Sequence, residues 1–254
     1  MNTQIDLNAD LGEGCGDDEG LMAVVTSANI ACGGHTGDEA SMRTALGLAK
    51  AHGVAAGAHP SYPDRENFGR QSMKLPRKEL WWAIYPQIER LCLLAWEDDM
   101  TLRHVKPHGA LYHDAAADRE VAEVIVEATK LALSGAANAA FSVVGPPGGE
   151  LAAVAEEKGV PYVAEGFADR AYRADGTLVP RSEAGAVIKD GEARSAQALS
   201  LAKGGPVKTI SGEMIDLPVR TICLHGDSPG ALQSAKEIRA ALENAGISVK
   251  AVRP

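Results

Sequence analysis

Cysteine is too scarce and too scattered here to build a scaffold: Cys15, Cys32, Cys92 and Cys223 lie far apart, with no C-x-x-C pair. That excludes a disulfide framework, a zinc knuckle and a redox dithiol. No apolar run approaches the roughly 18 residues that a membrane span needs, and basic charge is also in deficit. Lys+Arg number 25 against 34 Asp+Glu, a formal net charge of −9, so nothing draws the chain generally toward nucleic acid or an anionic membrane. The opening MNTQIDLNADLGEG lacks the basic start and apolar core of a secretory signal, and reduced thiols in a cytoplasmic protein are the expectation. No Gly-x4-Gly-Lys-Ser/Thr phosphate loop occurs anywhere. Internal repeats, linkers and low-complexity tracts are missing too.

What is present is an ordinary globular composition, 45% hydrophobic and 23% charged over 254 residues, which excludes disordered and collagen-like classes. Short apolar runs alternate with stretches of helical spacing, the rhythm of βαβ units and a parallel sheet. Strands are expected at Ile5 to Ala9, Ser27 to Ala31, Val54 to Ala58, Arg103 to Lys106, Phe141 to Val144, Pro161 to Ala164 and Thr221 to Leu224. Helices are expected at Glu39 to His52, Pro76 to Asp98, Arg119 to Ser134, Gly149 to Lys158 and Gly230 to Gly246. Asp38 caps the first of these, and Trp81, Trp82 and Trp96 are expected to join the packing of the second. Asp175 to Pro218 breaks the rhythm with a turn-like ADGTLVPR, a helical stretch around Gly191 to Ala202 and a Gly-Gly-Pro break. The fold class is therefore α/β: a single domain over residues 1–254, a TIM-like (β/α)7 barrel with this excursion at about 175–218. An open doubly wound sheet is the competing architecture.

The unusual polar residues fall at strand ends. Asp10 and Glu13 follow the first strand, Asn29 and His35 surround the end of the second, and His59 follows the third. Lys106 and His108 follow the fourth, Glu165 and Asp169 the sixth, His225 and Asp227 the seventh. In a parallel barrel all the C-terminal strand ends open on one face, so these residues converge on one cavity, the arrangement of an enzyme. His52 at a helix end and His104 inside a strand fit structural roles. Asp10 with His35 and His59 would hold a divalent metal, although no i,i+4 spacing marks them; the same groups serve metal-free acid/base work equally. Arg65, Arg70 and Lys106 are cations that would meet an anionic substrate group, with a solvated loop charge the alternative for Arg65. Cys32 reads as a buried small hydrophobe rather than a nucleophile, and VVGPPGGE alone is a weak nucleotide signal.

Seven motifs in order, LNADLGE, ANIACGGH, GAHPSYPD, VKPHGALY, EGFADRAY, LVPR and HGDSPGA, resemble the LamB/YcsF family of 5-oxoprolinase A subunits over essentially the whole chain. The resemblance implies a seven-stranded β/α barrel similar to deacetylases and glycoside hydrolases. It implies ATP-dependent opening of 5-oxoproline to L-glutamate, with ATP carrying Mg as its counterion, and partner subunits B and C. The sequence departs from the family pattern at GEGCGDDEG, at Gly34 where Phe is usual and at Gln71 where a second Arg is common. On this reading Asp10, His59, His108 and Lys106 carry the chemistry. Glu13, Asn29, His35, Arg70, Glu165, Asp169, His225 and Asp227 line the substrate site. The alternatives are a metal-assisted, ATP-independent amide or carbohydrate hydrolase, and a non-catalytic 5-oxoproline-binding subunit.

Overall fold

The computed structural model describes residues 4–135, 140–224, 226 and 230–253. Its elements run β1 (Gln4–Leu11), α1 (Asp18–Met22), β2 (Ser27–Ala31), α2 (Glu39–His52), β3 (Ala55–His59), α3 (Arg77–Glu97), β4 (His104–Val105), α4 (Gly109–Ala117), α5 (Arg119–Ser134) and β5 (Ser142–Gly145). They continue with α6 (Gly149–Glu157), β6 (Tyr162–Phe167), α7 (Gly191–Ala202), β7 (Pro206–Lys208), β8 (Met214–Asp216), β9 (Thr221–Leu224), α8 (Ala231–Asn244) and β10 (Ser248–Val249). Strands β1 to β6 and β9 pair in parallel, and β9 pairs with both β6 and β1. That double pairing closes a seven-stranded barrel, which rules out the open sheet. β10 adds to the entry end of β1, and β7 and β8 form a separate antiparallel hairpin. No helix among the described residues is long and apolar enough to cross a membrane.

Local chemistry explains the helices. Asp38 and Ser41 form a reciprocal capping box at the start of α2, and Gly53 (φ 66°) ends that helix in the left-handed conformation. Asp118 and Asp190 cap α5 and α7, each accepting from backbone N–H groups of the first turn. In α3 the residues Leu80, Ile84, Ile88, Leu91, Leu94 and Ala95 form the buried stripe. Trp82 and Trp96 do not join it: they are 61% and 70% exposed. Both lie on the outer face of the helix, whereas Trp81 packs against the core.

The strands obey a period of two. On β1, Ile5, Leu7, Ala9 and Leu11 belong to the apolar layer between barrel and helices, while Asn8 and Asp10 reach across the barrel interior. The interior is a hydrogen-bonded polar column. Asn8 Nδ2 donates to Glu165 Oε1 (2.9 Å) and Thr221 Oγ1 (2.7 Å), Asn29 Nδ2 donates to Asn8 Oδ1 (2.7 Å), and Thr221 donates to Asp6 at the entry end. Each of these donors meets an acceptor on leaving water, which is what makes such an interior tolerable.

Three placements differ from the sequence expectation. Asp10, His59 and Glu165 lie within β1, β3 and β6 rather than after them, because β1 runs two residues further and β6 three residues further than the apolar pattern suggested. Their side chains therefore start from rigid backbone. Gly57 has no side chain because the His104 ring occupies that space, and His104 is itself held on Asn29 Oδ1 at 2.8 Å. Gly57→Ala is expected to cost about 1–3 kcal/mol, the usual effect of overpacking a fixed ring, read from urea unfolding. An unchanged midpoint would mean that the ring yields freely.

Candidate active site at the strand ends

Lys106, the residue after β4, is the centre of the site. Its Nζ lies 2.8 Å from Glu165 Oε1, 3.0 Å from Asp10 Oδ1, 3.3 Å from Asn8 Oδ1 and 3.2 Å from Cys223 Sγ, and its side chain is 3% exposed. Burial alone would strip the proton from such an amine, but the Asp10 carboxylate, with Glu165, outweighs it and holds the ammonium well above its usual range. Burial also raises the Cys223 thiol well above its ordinary value, so at neutral pH the carboxylates supply the compensating charge. Asp10 also accepts from Asn29 Nδ2 at 2.8 Å, so its carboxylate is aimed by two neighbours.

Above this pair sit three histidines. His59 Nδ1 donates to the Lys106 carbonyl at 2.7 Å, and His108 Nε2 donates to the Phe68 carbonyl at 2.9 Å. Phe68 adopts φ 56°, rare for a residue with a side chain, and in that conformation its carbonyl meets the imidazole. These anchors define both tautomers. The remaining nitrogens, His59 Nε2 and His108 Nδ1, face each other at 3.0 Å. With its Nε2–H committed to Phe68 and its ring neutral, His108 offers Nδ1 as the acceptor side of this contact. Burial first, then His59 and His35, hold His108 down at about 3, so it stays neutral at working pH. Asp10 Oδ2 is 3.4 Å from His59 Nε2, and Glu13 Oε1 is 3.5 Å from His108 Nδ1.

His35 stacks flat on His108, with ring centroids 3.6 Å apart, and places Nε2 2.9 Å from Glu13 Oε1. Its Nδ1 is buried and without a hydrogen-bond partner. Among the described residues two groups of donor atoms result, Asp10–His59–His108 and Glu13–His35–His108, sharing one imidazole. The sequence expectation grouped Asp10, His35 and His59; the structure instead divides His35 and His59 between two groups. Closely spaced imidazole nitrogens, an adjacent carboxylate and N–H groups anchored on main-chain carbonyls form a donor set that fits a divalent cation.

These groups open on a cavity of 390 Å³, also lined by Arg70, His113, Phe167, Arg170 and Arg181, a size suited to a small molecule. Arg70 lies over the Phe68 ring at 5.1 Å. Asn29 and Glu165, both buried at 1% exposure or less, support the cavity from beneath. Asp169 adjoins Arg170 on the segment after β6. His225 and Asp227 lie outside the described residues.

Other candidates resolve into structural roles. Arg65 fastens the loop after β2 through the carbonyls of Gly33 and Gly37. Burial drives the Cys32 thiol up to about 12, which removes it as a nucleophile. In the Gly-rich loop after β5, a side chain at Gly149 would strike the Ala116 carbonyl, so that glycine allows α4 and α6 to approach closely. Sequence reasoning missed Asn8, although it stands two residues before Asp10, the spacing that puts both on one strand face.

The buried histidines make a testable statement about pH. Burial, then Lys106 and His59, lower His104 to about 3, against an ordinary value of 6.5. An unfolded chain takes up a proton below about 6.5 that the folded one refuses until about 3, so stability falls as pH drops through that window, by about 1.4 kcal/mol per unit per group. His35 and His108 act in the same direction. His104→Gln is expected to flatten the slope of unfolding free energy against pH by about one group's share, ~1.4 kcal/mol per unit. An unchanged slope would show that His104 titrates alike in both states.

Comparison with known proteins agrees with this architecture. A solved structure, the lactam utilization protein from Thermus thermophilus, is 39% identical with a TM-score of 0.89, covering 98% of this chain and 100% of that one. A GH18 chitinase from Pseudoalteromonas aurantia is 9% identical with a TM-score of 0.55, covering 93% of this chain and 100% of that one, and shares the fold alone. The model of the LamB/YcsF family matches residues 5–254, and the chain belongs to that family.

Proposed function

We propose that this chain is the 5-oxoprolinase A subunit, which opens 5-oxo-L-proline to L-glutamate in an ATP-dependent reaction with B and C subunits. One observation carries the reading: a buried ammonium, two carboxylates and convergent imidazoles meet at the mouth of a barrel, in a cavity of small-molecule size. The family and the name of the Thermus protein support a cyclic amide as the substrate.

A five-membered lactam resists attack because addition to its carbonyl destroys amide resonance and its nitrogen is a poor leaving group. ATP overcomes this by phosphorylating the lactam oxygen with loss of ADP; water then adds to the activated carbon, the C–N bond breaks as the ring nitrogen takes up a proton to leave γ-glutamyl phosphate, and a second water releases phosphate and glutamate. Lys106 stabilises the negative charge that gathers on phosphoryl or carbonyl oxygen. Asp10 is the base that orients and deprotonates the water, and His59 and His108 exchange protons with the nucleophile and the leaving nitrogen. In a metal-assisted variant of this chemistry Asp10, His59 and His108 would instead hold a divalent cation, which would supply Lewis-acid polarisation of the carbonyl in place of their proton transfers. The chain has no phosphate loop, so the ATP site is assigned to an unconventional surface here or to one shared with the partners.

The test is release of glutamate and phosphate from 5-oxoproline and ATP, by the chain alone and mixed with its B and C partners. Coupled release only in the mixture is expected. The metal-type donor set favours one competing reading, a metal-assisted hydrolase of amides or carbohydrates that needs no ATP. Amide hydrolysis without ATP that stops on chelation would establish that competitor. A non-catalytic binding subunit would bind 5-oxoproline, yet the complex would turn over normally after Asp10 or His59 is replaced.

A further inference from the structure

Charge is unevenly balanced around the cavity. The carboxylates Asp10 and Glu13 come from β1 and the residues after it, and His59 and His108 from β3 and the end of β4, beside Lys106 and Arg70, whereas the segment after β6 contributes two cations, Arg170 and Arg181, and no carboxylate to the lining. Arg170 is 5% exposed, yet it lines the cavity. Its Nη2 donates to the Val179 carbonyl at 2.6 Å and its Nε to the Ala186 carbonyl at 3.4 Å. Both acceptors are neutral. Among the described residues no carboxylate forms an ion pair with Arg170, and none accepts from its Nη1. A buried guanidinium held on two carbonyls is a costly state that an incoming anion relieves. Burial first, then the nearby charge of Arg181, disfavour the Arg170 cation, and the neighbouring Asp169 offsets them only in part. Two like charges therefore stand together at this end of the cavity.

We propose that Arg170, assisted by Arg181, is a preorganised subsite for the carboxylate of the substrate, selecting cyclic amides that carry an acid group over neutral lactams. The proposal rests on the reading that the cavity binds 5-oxoproline, whose carboxylate sits on the ring carbon next to the nitrogen. With the carboxylate on Arg170, the ring carbonyl is left for the Lys106 and Asp10 end. Main-chain anchoring fixes the guanidinium plane before the ligand arrives, which suits it to planar, two-point recognition of a carboxylate.

Calorimetric titration of the full chain with 5-oxoproline and with its neutral carboxamide tests this. The wild type is expected to prefer the acid by about thirtyfold or more, the effect of pairing a buried charge. Arg170→Gln is expected to abolish that preference while leaving carboxamide affinity within about threefold. Arg170→Lys keeps the charge but loses the fork; it is expected to retain part of the preference, and it carries the test if the glutamine variant does not fold. An unchanged acid-to-amide ratio in folded variants, or an equal loss for both ligands, overturns the subsite. If the wild type ignores 5-oxoproline, acetate is the probe. Arg170-dependent acetate binding then supports the subsite and rejects the cyclic amide, whereas no anion binding overturns the subsite as well.

Discussion

Asp10→Asn lowers the rate of glutamate formation in the assembled enzyme by about a thousandfold, within the range for loss of a positioned acid/base group, and leaves the barrel folded. The substitution keeps the shape and the hydrogen-bonding oxygen that Asn29 and Lys106 use, but removes the charge and basicity that the chemistry requires. Lys106 retains Glu165 as its counter-charge, so the thermal midpoint moves only slightly. Steady-state turnover and a melting curve on the same preparation separate the two effects. A variant with near-wild-type turnover would remove Asp10 from the mechanism, and a variant that fails to fold would recast it as a structural residue. His59→Ala is expected to follow the same pattern, because His59 Nε2 faces both Asp10 and His108.

The second large effect is on stability. Lys106→Met is expected to destabilise the fold by about 3–5 kcal/mol, the cost of leaving buried charge unpaired, and to abolish activity. Glu165, 1% exposed, would then keep a carboxylate in the barrel interior, still bonded by Asn8 but with its ammonium partner gone. Adding Glu165→Gln removes that orphaned charge, so the double variant is expected to recover at least half of the lost stability while remaining inactive. Denaturant unfolding of the four proteins in the cycle measures the coupling. A double variant no more stable than Lys106→Met alone would show that the penalty comes from lost packing of the lysine stem.

The positions of these residues in the chain explain what could be read in advance. The seven barrel strands are legible because each is a short apolar run bounded by punctuating residues, and α2 and α5 because caps and periodicity agree. The closing pairing of β1 with β9 is not legible, since it joins Asp6 to Thr221 across the whole chain. α4 escapes notice because GALYHDAAA lacks a helical stripe, and β10 because two residues carry no pattern. Among site residues, Asp10, His59, Lys106 and His108 stand out as polar residues at the ends of apolar runs. Arg170 does not: it follows Asp169 and looks like a local ion pair, and only the return of the chain through Val179 and Ala186 reveals its environment. The pairing of His108 with His59 rather than His35 with His59 is likewise a consequence of ring orientation, fixed by carbonyls of Lys106 and Phe68.

A crystal structure of the chain soaked with 5-oxoproline tests most directly whether the strand-end cavity holds the cyclic amide. The ring is expected between the wall of Asp10, His59 and His108 and the segment from Leu178 to Arg181, with its carbonyl toward Lys106. An ordered ring elsewhere on the chain, with this cavity unfilled, would contradict the account.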